Sequence, residues 1–162
     1  MKNNLCTMYI VRHGQSESNK LGRYGGGDPA ITPLGESQAR DRAIMLKDVH
    51  FDAVFSSDYV RARRTAEILF EERKLAIITK EALRERSWGS LSRKKVEEVR
   101  QEIQKLFDLY ESLSNREQWT WKGTSDMENL EEAGYRFIRT LREIAVGYGG
   151  KRVAIVCHGG LM

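Results

Sequence analysis

Two stretches of the chain, one near each end, finish in the same way. Ile10-Val11-Arg12-His13-Gly14 opens the sequence and Ile155-Val156-Cys157-His158-Gly159 closes it. Each is a short β-rich apolar run, read as a buried strand, that delivers a histidine and then a glycine to its carboxyl end. Glycine at that point lets the backbone turn sharply and approach a ligand. Other short apolar runs lie between them, at Phe51 to Phe55 and Leu75 to Thr79, the latter read as an edge strand. Longer amphipathic stretches separate the runs. Strands that alternate with helices predict an α/β protein, a three-layer α/β/α sandwich with a mostly parallel central sheet and helices on both faces. In open sheets of that kind ligands bind outside the carboxyl ends of the strands. Two of the three histidines are therefore expected at one site, and His50, which precedes a strand, is read as a surface residue.

The helices follow from local signals. Thr32-Pro33 reads as an N-cap and first helical residue, with the helix running to about Leu46. Ser56-Ser57-Asp58 supplies a cap for a helix through about Glu71. Between Lys94 and Leu113 apolar residues recur at Val96, Val99, Ile103, Leu106, Tyr110 and Leu113, which is helical spacing. Ser125 and Glu128 form a capping-box pattern ahead of a helix with Leu130, Phe137, Leu141 and Ile144 on one face. Gly22 to Pro29, Leu83 to Leu91 and the tryptophan-bearing Gln118 to Thr124 read as loops. Two prolines and no Ser/Gly-rich linker point to a single domain over residues 1–162.

Arginines supply the second chemical signal. Arg12 precedes His13, and Arg61 falls in the first turn of the helix after the second strand, whose carboxyl end also points at the site. A guanidinium offers phosphate oxygens a planar fork of donors, and a helix N-terminus adds backbone N–H groups and a favourable dipole. Two histidines, two arginines and a helix start describe a pocket for an oxyanion. The net charge of +4 suits an anionic substrate, and no block of like charges reads as a nucleic-acid tail. Arg93-Lys94-Lys95 reads as a solvated helix face. No stretch has the length of a membrane span. Cys6 and Cys157 make no disulfide framework, and residues 1–11 lack the features of a signal peptide, so a cytoplasmic location is expected. Cys157 reads as a small buried strand residue. A zinc site built on His13 and His158 lacks the short-range ligand pairs such sites use.

Arg12-His13-Gly14-Gln15-Ser16-Glu17-Ser18-Asn19 resembles the Arg-His-Gly-x-Ser-x-x-Asn signature of the histidine phosphatase superfamily, the phosphoglycerate mutase-like family. Four more blocks resemble it in the family's order: Asp28 to Ala39; Ser56 to Ala66 with Arg61 and Thr65; Leu83 to Gly89 with Glu85; and His158-Gly159-Gly160. The resemblance implies a phosphoglycerate mutase-like fold and a metal-independent phosphoryl transfer with no cofactor. It assigns His13 as the nucleophile, Arg12, Arg61 and His158 as holders of the phosphoryl oxygens with Asn19 assisting, and Glu85 as proton donor and acceptor. Arg86, Trp88 and Gly159 are the further substrate-binding candidates, with Trp119 and Trp121 at the substrate mouth.

The chain also departs from the family. Where the family's mutases carry a tyrosine and a lysine, Trp88 and Val96 stand here, which disfavours phosphoglycerate isomerisation and favours hydrolysis of a small phosphorylated metabolite. A phosphoglycerate mutase-type isomerase and an inactive phospho-ligand-binding protein are the alternatives. Arg136 matches a family helix arginine, and relatives continue past His-Gly-Gly into a helix, so this chain reads as lacking that C-terminal helix. Ending at Met162 is expected to leave His158 with little support and apolar sheet surface uncovered. Oligomeric state is not legible.

Overall fold

The computed structural model describes residues 4–22, 27–93 and 96–162. Its elements are β1 (Thr7–Arg12), α1 (Glu17–Lys20), α2 (Pro33–Met45), β2 (Ala53–Ser56), α3 (Val60–Phe70), β3 (Ile77–Thr79), α4 (Val96–Ser112), α5 (Asn115–Thr120), α6 (Leu130–Gly147) and β4 (Arg152–Cys157). Among the described residues the sheet has four strands in the order β1-β4-β2-β3, all parallel. The expected α/β sandwich is the observed one. The parts of the Gly22–Pro29 loop at 23–26, and Lys94 and Lys95 of the basic run, lie outside the described residues.

Strand alternation decides what each helix covers. Val54, Ala154 and Val156 face one side, where Ala62, Ala66, Leu69 and Phe70 of α3 pack on them. Ala53, Phe55, Val153, Ile155 and Cys157 face the other, under Phe137 and Ile144 of α6. Every residue of β4 from Val153 to Cys157 is fully buried, as befits a central parallel strand covered on both faces. Cys157 is thus the buried strand residue it reads as. β1 is different. It was expected to be buried but lies at the sheet edge, with no fully buried residue and Ile10 exposed. The last strand occupies the centre beside it, a placement that apolar runs of similar composition do not distinguish.

The caps bring two corrections. α6 begins at Leu130, and its capping box is Asn129 with Glu132, not Ser125 with Glu128: Asn129 Oδ1 accepts from the Glu132 N–H at 2.8 Å. Glu128 is drawn instead into an ion pair with Arg136 at 2.8 Å. α3 has no cap from its own N-cap residue Tyr59. Asp28, far back in the sequence, accepts from the Val60 N–H at 2.7 Å, and Ser57 Oγ accepts from Tyr59 N–H at 3.3 Å. The stretch read as a tryptophan loop begins inside α5, capped by Ser114 and Glu117.

The end of β1 is clamped to the start of α2. Thr32 Oγ1 accepts from Gly35 N–H at 3.1 Å and caps the helix as expected. Thr32 N–H donates to the Gln15 carbonyl at 2.8 Å, and Gln15 N–H donates to Gln38 Oε1 at 2.9 Å. The backbones touch at two glycines. A Cβ on Gly14 would overlap the Gly35 carbonyl, and one on Gly35 would overlap the Gln15 carbonyl. Gly35→Ala should therefore destabilise the fold by about 1–3 kcal/mol, the range for overpacking a tight interior. Urea unfolding of the variant checks this, and an unchanged midpoint would show that the clamp is slack.

Candidate active site

Register brings the two histidines together. β1 and β4 pair with Arg12 opposite Cys157, so the next residue of each strand emerges at the same level. The His13 N–H extends the ladder by donating to the Cys157 carbonyl at 3.0 Å. The imidazole rings of His13 and His158 then meet edge to face, with centroids 5.0 Å apart. Both are buried, His158 completely. His158 is closely packed rather than poorly supported, because the Tyr59 ring stands 5.5 Å away and the turn Gly159–Leu161 folds back with Leu161 against the core.

Hydrogen bonds assign the His13 tautomer. Nδ1 lies 2.7 Å from the Gly14 carbonyl, an acceptor, so Nδ1 carries the proton. Nε2 accepts from Arg61 Nε at 3.3 Å, which requires a free lone pair there. Burial, with Arg61 and Arg12 nearby, pushes the His13 pKa down to about 4 despite the opposing Gly14 bond. His13 is thereby a neutral imidazole with its Nε2 lone pair directed at Arg61. His158 is pushed down to about 2, by burial first and then by Arg61 and His13. Both of its ring nitrogens are buried with no hydrogen-bond partner among the described residues. Buried polar atoms nearly always have a partner, so such a pair marks a place for a ligand.

Arg61 comes from the first turn of α3, as expected, and is itself buried. Its Nη1 donates to the Gly27 carbonyl at 3.1 Å and lies 3.7 Å from Asp28 Oδ1, while its guanidinium sits over the Tyr59 ring at 4.8 Å. Burial lowers its pKa from the ordinary arginine value, with Asp28 and Glu85 opposing. Arg12 is exposed and lies across Gly159, where a Cβ would come 3.2 Å from its guanidinium carbon. Glu85 reaches the same end of the sheet: its Oε2 accepts from Gly160 N–H at 3.1 Å and its Oε1 from Arg86 N–H at 2.9 Å. Asn19 uses its side-chain oxygen in a capping box with Ser16 at the start of α1. The structure thus brings His13, His158, Arg61, Arg12, Gly159 and Glu85 to one corner.

The model of the histidine phosphatase superfamily (branch 1) matches residues 8–162. The chain belongs to this superfamily. It is 30% identical over 156 residues, 96% of its length, to a protein of Bacillus subtilis (strain 168) named an uncharacterized phosphatase, PhoE, and covers 72% of that protein. It is 33% identical over 157 residues, 94% of its length and 71% of the relative's, to a 2,3-bisphosphoglycerate-dependent phosphoglycerate mutase of Cytophaga hutchinsonii. The crystal structure of a phosphoglycerate mutase from Bacillus anthracis superposes with a TM-score of 0.85 at 26% identity, covering 99% of this chain and 78% of that one. Relatives named phosphatases and relatives named mutases both resemble the chain.

Arg86 and Trp88 lie in the segment that follows Glu85. Arg86 donates from Nε to the Glu128 carbonyl at 2.9 Å and covers the Trp88 ring at 5.5 Å, so it braces two loops together. Trp88 packs on Phe107, beside the small buried cluster of Leu91 and Ile103. Trp121 pairs with Tyr110, and Trp119 sits half exposed on α5. Trp88 and Trp121 line a small cavity with Arg86, Phe107 and Tyr110, whereas Trp119 lies against Gly134 of α6. His50 is exposed, as read.

Four residues do work at the site that residue types alone had not shown. Thr65, one turn beyond Arg61 in α3, accepts from Gly14 N–H at 3.1 Å and donates to the Arg61 carbonyl at 2.7 Å, which ties the turn after His13 to the arginine's helix. Asp28 caps that helix and flanks Arg61. Tyr59 packs against both His158 and Arg61. Arg136 holds the segment before Glu85 by donating to the Ala82 and Arg84 carbonyls at 2.8 and 2.9 Å. Thr65 and Asp28 do fall inside the family-like blocks, which is the signal that could have found them.

The histidines also set a pH dependence of stability. In the unfolded chain they bind protons below about pH 6.5. In the folded chain they stay neutral down to about 4 for His13 and about 2 for His158. Between those values the unfolded state holds more protons, so stability is full above about pH 6.5 and falls as the pH drops below it. The loss approaches about 1.4 kcal/mol per pH unit for each histidine. Urea unfolding in phosphate-free buffer between about pH 7 and about pH 5 should show this decline, less steep in His158→Gln. Equal slopes in variant and wild type would remove His158 as a buried neutral group.

Proposed function

We propose that the chain is a phosphomonoesterase that hydrolyses a small phosphorylated metabolite through a phosphohistidine on His13. The observation that carries this reading is the neutral, buried His13 with its Nε2 lone pair directed at Arg61, beside a His158 whose ring nitrogens have no hydrogen-bond partner among the described residues. Nε2 attacks phosphorus as the ester P–O bond breaks, and Glu85 gives a proton to the departing alkoxide. Glu85 then takes a proton from water, whose oxygen attacks the phosphohistidine, releasing phosphate and restoring His13. Arg61 leaves His13 Nε2 for the phosphoryl oxygens, Arg12 neutralises them from the solvent side, and His158 shares them from below. Asn19 retains its amide N–H groups for the same anion. Phosphoryl transfer depends on such positioning and charge neutralisation more than on other chemistry, and the covalent step divides one barrier into two.

Hydrolysis is favoured over isomerisation because Arg86 is engaged with Glu128 and Trp88, and Trp88 with Phe107, which leaves neither poised to hold a phosphoglycerate between half-reactions. His13→Ala should abolish hydrolysis of an aryl phosphate in the presence of a chelator while its circular dichroism spectrum stays native. Activity that survives would eliminate His13 as the nucleophile. Glu85→Gln should slow alkyl phosphates by about 10²-fold or more, the lower end for general acid catalysis, and slow aryl phosphates far less because their leaving groups need no proton. Steady-state rates across a leaving-group series check this, and uniform slowing would take Glu85 out of the acid role.

A further inference from the structure

A cleft of about 570 Å³ opens beside Glu85, on the side where a leaving group departs if the phosphatase reading above holds. Tyr59 is its common wall with the phosphoryl pocket, since the same ring contacts His158 and Arg61 and also lines the cleft. The cleft's described lining has an unbalanced charge. Glu81, Glu85, Asp126, Glu128 and Glu132 face three cations, Arg84, Lys122 and Arg136.

Each of those cations already has a carboxylate partner. Arg84 donates from Nε to Asp58 at 2.9 Å and approaches Glu81 at 3.4 Å. Arg136 grips Glu128 through two nitrogens at 2.9 and 2.8 Å. Lys122 meets Glu132 at 2.7 Å, and the other Glu132 oxygen is tied into the α6 capping box. A second anion on a bound substrate would have to displace one of these carboxylates or lie beside the surplus ones. Specificity often rests on such a repulsive element rather than on an added attraction. The remaining lining, with Tyr59, Ser87 and Ser125, offers an aromatic face and hydroxyls. These are groups that suit an uncharged polyol.

We propose that this cleft selects the leaving group by charge. It accepts uncharged, hydroxyl-bearing alcohols and turns away those that carry a carboxylate or a second phosphate. Glu132 is a specificity determinant in this scheme, because it holds Lys122 away from an incoming anion. The inference rests on the phosphatase reading and deepens it by naming the substrate class.

Two esters of the same carbon skeleton test it: glycerol phosphate with the phosphate on a terminal carbon, and glycerate phosphorylated on its terminal hydroxyl. They differ only by a hydroxymethyl group against a carboxylate. At low ionic strength kcat/KM should favour glycerol phosphate by about tenfold or more, equivalent to about 1.4 kcal/mol. Added salt should narrow the gap by screening. Glu132→Gln, which keeps the capping acceptor but releases Lys122, should narrow it further by raising the rate on the glycerate ester. Parity between the esters, or a preference for the glycerate ester, in an enzyme whose turnover of both depends on His13 would overturn the charge selection and leave the phosphatase reading standing. Failure to hydrolyse either ester or an aryl phosphate would overturn the phosphatase reading, and the selection with it.

Discussion

The parallel pairing of β1 with β4 is the constraint on which the rest of the site depends. The His13 N–H donates to the Cys157 carbonyl and closes the ladder at the level where the two strands end. A slip of one residue would turn one histidine to the opposite face of the sheet. The central strand β4, buried over its whole apolar run, holds that register from both sides through α3 and α6. The edge strand β1 is less buried, and its end is secured by other means: Gly14 and Gly35 bring the backbones of the strand end and α2 into contact, and Thr65 holds the turn to α3. His13 is thus fixed by three separate elements, none of them adjacent to it in sequence.

Burial is the source of the site's electrostatics. Taking two imidazoles out of water next to guanidinium groups disfavours their charged forms, so the histidines are neutral and the positive charge of the corner belongs to Arg61 and Arg12. That division of labour suits an incoming dianion, with an uncharged nitrogen to attack it and fixed cations to hold its oxygens. Arg61 itself is buried, and Asp28 and Tyr59 keep it company on two sides. An arginine so placed is pre-ordered, and little side-chain freedom remains to be lost when an anion binds.

The loop that carries Glu85 is anchored by Leu83 on one side and by Trp88 and Leu91 on the other, and polar contacts hold the stretch between them. Arg136 spans from α6 to two of its carbonyls while it pairs with Glu128, and Arg84 locks onto Asp58 at the mouth of α3. Isolated surface ion pairs contribute little to stability, but forked arginines that also satisfy backbone carbonyls define geometry. The same pairs consume the positive charge of the cleft beside Glu85, so the scaffold of Glu85 and the charge of the cleft wall have one cause.

Much of this was legible in the order of residues, and the parts that were not share a physical reason. Strand-length apolar runs, the Thr32-Pro33 cap, the helical spacing toward Ile144 and the repeated His-Gly endings are local patterns, and local patterns sufficed for an α/β sandwich with His13, His158, Arg12 and Arg61 at the carboxyl ends of its strands. Relations between distant segments were decided by tertiary structure alone. Composition did not say that β1 is an edge and β4 the centre, because strand order is a matter of which faces the helices cover. The cap of α3 is Asp28, brought from another loop, and the start of α6 is Asn129 because Glu128 is taken by Arg136. That Arg86 meets Glu128 and Trp88 meets Phe107 is likewise a relation between distant segments. The sequence by itself determined which side chains are available for phosphoryl chemistry. Folding decided which of them are buried, which are already partnered, and so which are free to meet a substrate.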